Sequence, residues 1–233
     1  MIGVILAGGR GTRLVEKTAN LPKPMIKIGR YPIIWHLIKY LNVFGIEKFI
    51  VCSGYKSKII EKYFQKNNNI KVINTGLNTL TAKRIFLIKK YIGINEDFFM
   101  TYGDGLANVD INKLIKLHKR KKKLATVTAV LPPPRFGSIR VQNDLAIKFN
   151  EKPKDYRNLI NGGFFILNHS IFEALDLGKN NEMWEQSPMQ KLTNMSELAV
   201  YTHKEFWHPM DTLRDNIHLN SLWRSETAPW KIW

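Results

Sequence analysis

The sequence predicts an α/β protein built on a parallel or mixed sheet with helices on both faces. Three observations carry that expectation. Short apolar runs alternate with stretches of helical spacing from Ile2 to Val130. Two of those runs, Ile2–Ala7 and Phe98–Tyr102, lead directly into glycine turns, as strands do where a ligand binds beyond their carboxyl ends. With 44% hydrophobic and 24% charged residues, a chain of 233 residues buries a full core without covalent staples.

Taken in order, Ile2–Ala7 reads as a buried strand running into Gly8-Gly9-Arg10-Gly11. Pro32 starts a helix whose apolar face is Ile33, Ile34, Leu37, Ile38 and Leu41, and Gly45 stops it. Phe49–Cys52 is a strand, Ile59–Phe64 an amphipathic helix and Ile70–Ile73 another strand. Helical spacing spans Thr81–Tyr91, and the strand Phe98–Tyr102 ends at Gly103-Asp104-Gly105. A helix over Ile111–Leu117 precedes the strand Leu124–Val130. Pro132-Pro133-Pro134 makes a rigid break. Beyond it lie short strand-like runs at Ser138–Val141, Ala146–Phe149, Phe164–Leu167 and Leu198–Tyr201, then a final helix, Leu213–Trp223. With no repeat and no low-complexity linker, residues 1–233 read as one domain. Residues 1–130 form its first half, and 131–233 extend the same sheet and end in a helix and tail.

Composition excludes several classes. Cys52 is the only cysteine, which rules out an intrachain disulfide or an all-cysteine metal cluster. The longest uncharged stretch, Asn158–Phe172, has 15 residues and is too short and polar to span a bilayer. Glycines and Arg10 interrupt the first apolar run before it could serve as a signal peptide. A reduced, cytoplasmic protein with no membrane partner is expected. The net charge of +17 attracts anions, nucleic acid among them. Its densest block, Lys119–Lys123, follows a helix, where the macrodipole favours cations without any partner. No aromatics interleave it, which argues against nucleic acid.

The turn Gly8-Gly9-Arg10-Gly11-Thr12-Arg13 lets backbone N–H groups approach an anion closely. A dinucleotide fingerprint fails, because Leu14 stands at its third glycine and no acid lies between Glu16 and Glu47. A Walker A loop fails for want of a closing G-K-[ST]. What remains is a glycine turn with Arg10, Arg13 and Lys23, the last held between Pro22 and Pro24. This is either a triphosphate cradle of unusual type or a tight turn with solvated cations. Asp104, flanked by glycines at a strand's end, suits a Mg²⁺–phosphate site, or a plain turn. Asp211 supplies a second carboxylate, or caps the last helix, a role Thr212 could also fill; Asp110 reads as the cap of the Ile111 helix. Ser53-Gly54-Tyr55-Lys56 matches S-x-x-K without its companion motifs and reads as chance. His203 and His208 lack partners at ligand spacing. The tryptophans of the last fifty residues read as packing for the extension or a subunit interface.

Together L-A-G-G-R-G-T-R-L (Leu6–Leu14), P-K-P-M (Pro22–Met25), Y-G-D-G (Tyr102–Gly105), E-K-P (Glu151–Pro153), N-G-G-F-F (Asn161–Phe165) and P-M-D-T-L-R-D (Pro209–Asp215) resemble the sugar-1-phosphate nucleotidyltransferase family. P-P-x-R-F-G (Pro132–Gly137), W-E-Q-x-P (Trp184–Pro188) and A-P-W-K-x-W (Ala228–Trp233) resemble its cytidylyl branch. The resemblance implies a single Rossmann-like domain with a mixed central sheet and a small acceptor-binding extension. It implies that Leu6, Ala7, Gly8, Gly9, Arg10, Gly11, Thr12 and Arg13 cradle CTP, that Lys23 reaches a phosphate, and that Thr79, Arg84 and Gly103 are further nucleotide contacts. Asp104 and Asp211 correspond to Mg²⁺ ligands, and Glu151, Lys152, Asn161 and Gly162 to acceptor contacts. Small-molecule substrates and a homo-oligomer are expected.

The implied reaction is in-line attack of an acceptor phosphate, glucose 1-phosphate or similar, on the α-phosphorus of CTP, releasing pyrophosphate. An anionic nucleophile needs no general base, so catalysis is positioning and charge neutralisation by Mg²⁺, Arg13 and Lys23. The chain departs from the family pattern at Thr81-Ala82-Lys83-Arg84, where T-G-G-R is usual. It also departs in the short Phe64–Thr75 segment and at Ser187, where an acid is usual. These departures leave open another nucleotide, or another acceptor such as a phosphorylated amino-acid amide.

Overall fold

The computed structural model describes residues 1–14, 18–133, 138–150 and 159–233. In chain order the first half contains β1 (Ile2–Ala7), β2 (Lys27–Ile28), β3 (Tyr31–Pro32), α1 (Ile33–Val43), β4 (Lys48–Ser53), α2 (Ser57–Phe64), β5 (Ile70–Asn74), α3 (Thr81–Leu87), β6 (Asp97–Tyr102), β7 (Gly105–Ala107), α4 (Ile111–Lys121) and β8 (Ala125–Val130). The second half contains β9 (Ser138–Gln142), β10 (Leu145–Asn150), β11 (Ile160–Asn168), α5 (Ile171–Ala174), α6 (Ser187–Asn194), β12 (Leu198–His203), β13 (Trp207–Pro209) and α7 (Leu213–Arg224).

Seven strands join in one sheet in the order β12-β8-β11-β6-β1-β4-β5. All its pairings are parallel except those of β11, which runs antiparallel to both β6 and β8. The sheet is mixed, as expected, and takes strands from both halves of the chain. Side chains alternate across it. Val4, Leu6, Ile50, Cys52, Phe98 and Met100 face a core closed by Ile85, Ile88, Phe172 and Trp184. Ile5, Ala7, Phe49, Val51 and Phe99 face a second core closed by Ile33, Leu37, Leu41 and Trp230. Burial on both faces is why β1, β4 and β6 read as continuous apolar runs, with each large side chain contributing about 1.5–3 kcal/mol. Cys52 lies in this core, where burial pushes its thiol up to about 12.

The helix predicted from Pro32 forms as α1, and Gly45 follows it at φ +78°, a conformation glycine adopts without strain. Asp110 caps α4 by accepting from the Lys113 N–H at 3.0 Å, and Lys122 ends that helix in the left-handed region. The predicted helix Thr81–Tyr91 divides instead. α3 stops at Leu87 and a tighter 3₁₀ turn, Lys89–Tyr91, follows, which keeps Ile88 and Ile92 buried while Lys89 and Lys90 leave the core. β9 and β10 form a separate two-stranded ribbon and do not extend the main sheet. Their connection, Asn143-Asp144, has both residues at positive φ, which satisfies a hairpin by itself. The short β2, β3, β7 and β13 carry no period to read. α6 buries only Pro188 and Leu192, too narrow a stripe for a helical pattern. No described helix is long and apolar enough to cross a membrane.

Candidate active site

Because β1, β4 and β6 run together, their last residues meet along one edge, and antiparallel β11 enters there with Asn161 and Gly162. Backbone bonds knit the loops: Gly103 N–H donates to the Leu6 carbonyl at 3.0 Å and Tyr55 N–H to the Gly8 carbonyl at 3.1 Å. Beyond the edge opens a cleft of about 400 Å³, a size that accepts a small ligand. Leu6, Ala7, Gly9, Gly11, Thr12, Lys23, Gly103, Asp104 and Asp211 line it, so most of the expected nucleotide and metal residues come together. Arg10 is exposed beside them.

The chemical centre is a triad of charges from three separate elements. Lys23 opens a 3₁₀ turn, Asp104 lies between β6 and β7, and Asp211 lies between β13 and α7. Antiparallel pairing of β7 with β13 brings Gly105 opposite Pro209, and Met210 N–H donates to the Asp104 carbonyl at 2.8 Å. That short ladder is why two acids remote in sequence share one site. Lys23 Nζ donates to Asp104 Oδ2 at 2.7 Å and to Asp211 Oδ1 at 2.6 Å. Burial lowers the lysine's proton affinity, but the two carboxylates outweigh it and hold the ammonium above its usual range.

The choice left open for Asp211 is resolved by α7. Thr212 is the cap, accepting from Asp215 N–H, while Asp215 closes a capping box. Asp215 Oδ2 also accepts from the N–H of Asp211 at 3.0 Å and of Thr212 at 2.8 Å, which aims the Asp211 carboxylate at Lys23. Two carboxylates converging on one cation are a donor set that fits a hard divalent ion. Such an ion completes its shell with phosphate oxygens and water. Among the described residues no cluster of three or more His, Cys, Asp or Glu side chains could hold a metal without that help.

Other expected residues occupy different places. Arg84 is 4% exposed and lies beneath the glycine turn. It donates to the carbonyls of Ser53 at 3.0 Å and Gly8 at 3.2 Å, and also to Thr75 Oγ1. Burial lowers its proton affinity. A Cβ on Gly8 would fall 2.1 Å from Arg84 Nη1, so the glycine is what lets the guanidinium reach so close. Thr79 donates to the Thr75 carbonyl at 2.5 Å and supports the same loop. Asn161 is exposed, with its Nδ2 3.5 Å from the Tyr102 hydroxyl. The Gly162 carbonyl accepts from Trp207 Nε1 at 2.7 Å. Glu151, Lys152 and the side chain of Arg13 lie outside the described residues, as do Arg135, Phe136 and Gly137.

Three side chains near the cleft were not anticipated. Pro24 and Met183 line it. Glu185 accepts from Thr81 Oγ1 at 2.8 Å and from the Tyr102 hydroxyl, whose proton is held by burial and by that carboxylate. The W-E-Q-S-P stretch was the only signal for Glu185, and no spacing rule shows where it faces. The S-x-x-K match is incidental: Ser53 Oγ bonds Ser57 Oγ and the Ile73 carbonyl, and Lys56 turns to the Ala19 carbonyl.

Comparison with known proteins agrees with this arrangement. Residues 2–224 match the model of the nucleotidyl transferase family. The chain is 42% identical to a glucose-1-phosphate cytidylyltransferase of Salmonella typhi and 38% identical to a probable one of Bacillus subtilis, with all of each chain covered. The first of these alignments spans 258 positions, more than the 233 residues present, so that relative carries residues this chain lacks. A putative glucose-1-phosphate thymidylyltransferase from Bacillus anthracis, solved with sucrose, shares the fold. Its TM-score is 0.76, with 22% identity over 96% of both chains. By sequence and by architecture, the chain belongs to the nucleotidyl transferase family and is a nucleotidyltransferase.

Proposed function

We propose that the protein is a Mg²⁺-dependent cytidylyltransferase that converts CTP and glucose 1-phosphate, or a close phosphorylated analogue, into a CDP-sugar and pyrophosphate. The observation that carries this reading is the convergence of Asp104 and Asp211 on one cation, in a cleft also lined by Gly9, Gly11 and Thr12 of the glycine turn. The relatives that share about 40% of the sequence are named for the same reaction.

In this reading an acceptor phosphate oxygen forms a new bond to the α-phosphorus. The bond from that phosphorus to the bridging oxygen breaks, and its electron pair leaves with pyrophosphate. The nucleophile is already an anion, which agrees with the absence of a Ser/His/Asp constellation among the described cleft residues. Mg²⁺, when bound, neutralises phosphate charge. Asp104 and Asp211 hold it, and Lys23 supplies a cation to the triphosphate. Leu6–Thr12 and Gly103 cradle the nucleotide, and Arg84 and Thr79 hold that cradle from below. Asn161 and Gly162, with Glu151 and Lys152, receive the acceptor.

A pyrophosphate-release screen of CTP, UTP, dTTP, GTP and ATP against sugar 1-phosphates and a phosphorylated amino-acid amide tests it. CTP with glucose 1-phosphate should turn over fastest. A faster rate with another nucleotide overturns the base assignment, and a faster rate with the amide overturns the acceptor. Asp104→Asn and Asp211→Asn should each lower kcat about a thousandfold, the scale of losing a charge stabiliser in the transition state. Near-normal turnover in either removes the metal site.

A further inference from the structure

We propose that the Lys23 ammonium is the stand-in cation of the carboxylate pair, so that a divalent ion enters only together with a phosphate-bearing ligand that draws the lysine away. The inference rests on the metal and triphosphate placement of the preceding section, and it adds an order of events to that placement.

Lys23 Nζ lies 2.7 Å from Asp104 Oδ2 and 2.6 Å from Asp211 Oδ1. A divalent ion held by this pair would approach their oxygens to about 2.0–2.1 Å, and an ammonium bridging the two side chains puts a like charge beside it. The two cations therefore compete for the pair. Charge points the same way. With the lysine in place, an ion arriving alone must displace a bound charge and strand it in a site where the Lys23 side chain is only 10% exposed. A polyphosphate arriving with the ion offers the ammonium a new partner.

The local build permits such a swing and little else. Pro22 and Pro24 restrain the backbone on both sides of Lys23, and Pro22 sits at φ −68°, ψ 146°. Any change of place therefore falls to the bonds of its four-carbon stem. That stem packs along Gly11: a Cβ there would lie 3.1 Å from Lys23 Cβ and 3.6 Å from Lys23 Cδ. The lysine thus runs beside the turn expected to receive the phosphates, and its head group has only to pass from the acids to that turn. Lys23 is then both the guard of the metal site and the first ligand of the triphosphate.

The test compares wild type with Lys23→Met, which keeps the stem and removes the charge. Binding of Mn²⁺ alone is followed by the loss of the free-ion paramagnetic signal. Lys23→Met should bind Mn²⁺ without nucleotide about tenfold or more tightly than wild type, as removal of a like charge at contact distance requires. In wild type, Mn²⁺ and α,β-methylene-CTP added together should raise Tm by more than the sum of their separate effects, and Lys23→Met should keep only the share that direct contact between ion and phosphate supplies. Equal Mn²⁺ affinity in the two proteins overturns the proposal, as does additive stabilisation of wild type. The wild-type measurement stands even where the variant fails to fold. A gain that survives Asp104→Asn in the Lys23→Met background places the ion elsewhere and sinks the metal-site reading itself. A gain abolished by Asp104→Asn supports both.

Discussion

Arg84 shows how much of the site is built from beneath. The family resemblance makes it a nucleotide contact, but its guanidinium faces the protein, with donors spent on Gly8, Ser53 and Thr75. The Gly8 and Ser53 carbonyls keep partners in Tyr55 N–H and Thr75 without it, so its removal costs the charge-assisted bonds themselves, about 1.5–3 kcal/mol each, and the packing of a buried side chain. Arg84→Met should therefore cost about 3 kcal/mol or more in urea unfolding, and Arg84→Lys should recover only part, since one ammonium cannot reproduce the fork. A role confined to nucleotide contact would leave stability unchanged. Asp104 and Asp211 are the opposite case. Each was readable locally as a candidate, with a turn or a helix cap as its alternative, and the family resemblance marked both. Their common partner was not readable, because Lys23 reaches them through space alone.

At the scale of elements, the β7–β13 ladder and the cap of α7 decide where Asp211 points. Neither has a period to detect: β7 and β13 are three residues each. The cap was readable as a choice between two residues, and the structure gives it to Thr212. Thr212→Ala should lower stability by about 1 kcal/mol and, by loosening the Asp211 loop, raise the metal concentration needed for half-maximal turnover. A change in stability with unchanged metal dependence would separate the cap from the site. β11 carries a similar device. Gly163 sits at φ +78° where the ladder shifts register, and a Cβ there would fall 2.5 Å from the Tyr102 ring. Gly163→Ala should displace Tyr102 and weaken its bond to Glu185, seen as a raised KM for the acceptor.

Across the whole molecule, buried histidines tie stability to pH. His36 is fully buried, its Nε2 2.9 Å from the Ile28 carbonyl and its Nδ1 facing Trp230 Nε1 at 3.4 Å. A neutral ring with its proton on Nε2 satisfies both; a charged ring would set two donors against each other. Burial lowers its pKa to about 4, and burial likewise lowers those of His118 and His203. Between about pH 6.5 and pH 4 the unfolded chain binds protons that the folded chain refuses, so stability is full above that window and falls as pH drops through it. On His36 alone the protein should be about 2 kcal/mol less stable at pH 5 than at pH 7.5 in urea unfolding, and His36→Phe should remove that share of the slope. The same contact docks the C-terminal tail, where Trp230 is fully buried; Trp230→Ala should cost about 3–5 kcal/mol.

The alternation of strand and helix, the glycine turn after β1, the two acids and the family itself were all written in local patterns of the chain. Those features depend on backbone freedom, side-chain period and residue type, which neighbours in sequence determine. Which acids meet, which cation they share, and whether an arginine faces the ligand or the core were decided by the packed structure. They depend on strand pairing and burial between segments far apart in the chain, and no local rule encodes the distance from Lys23 to Asp211.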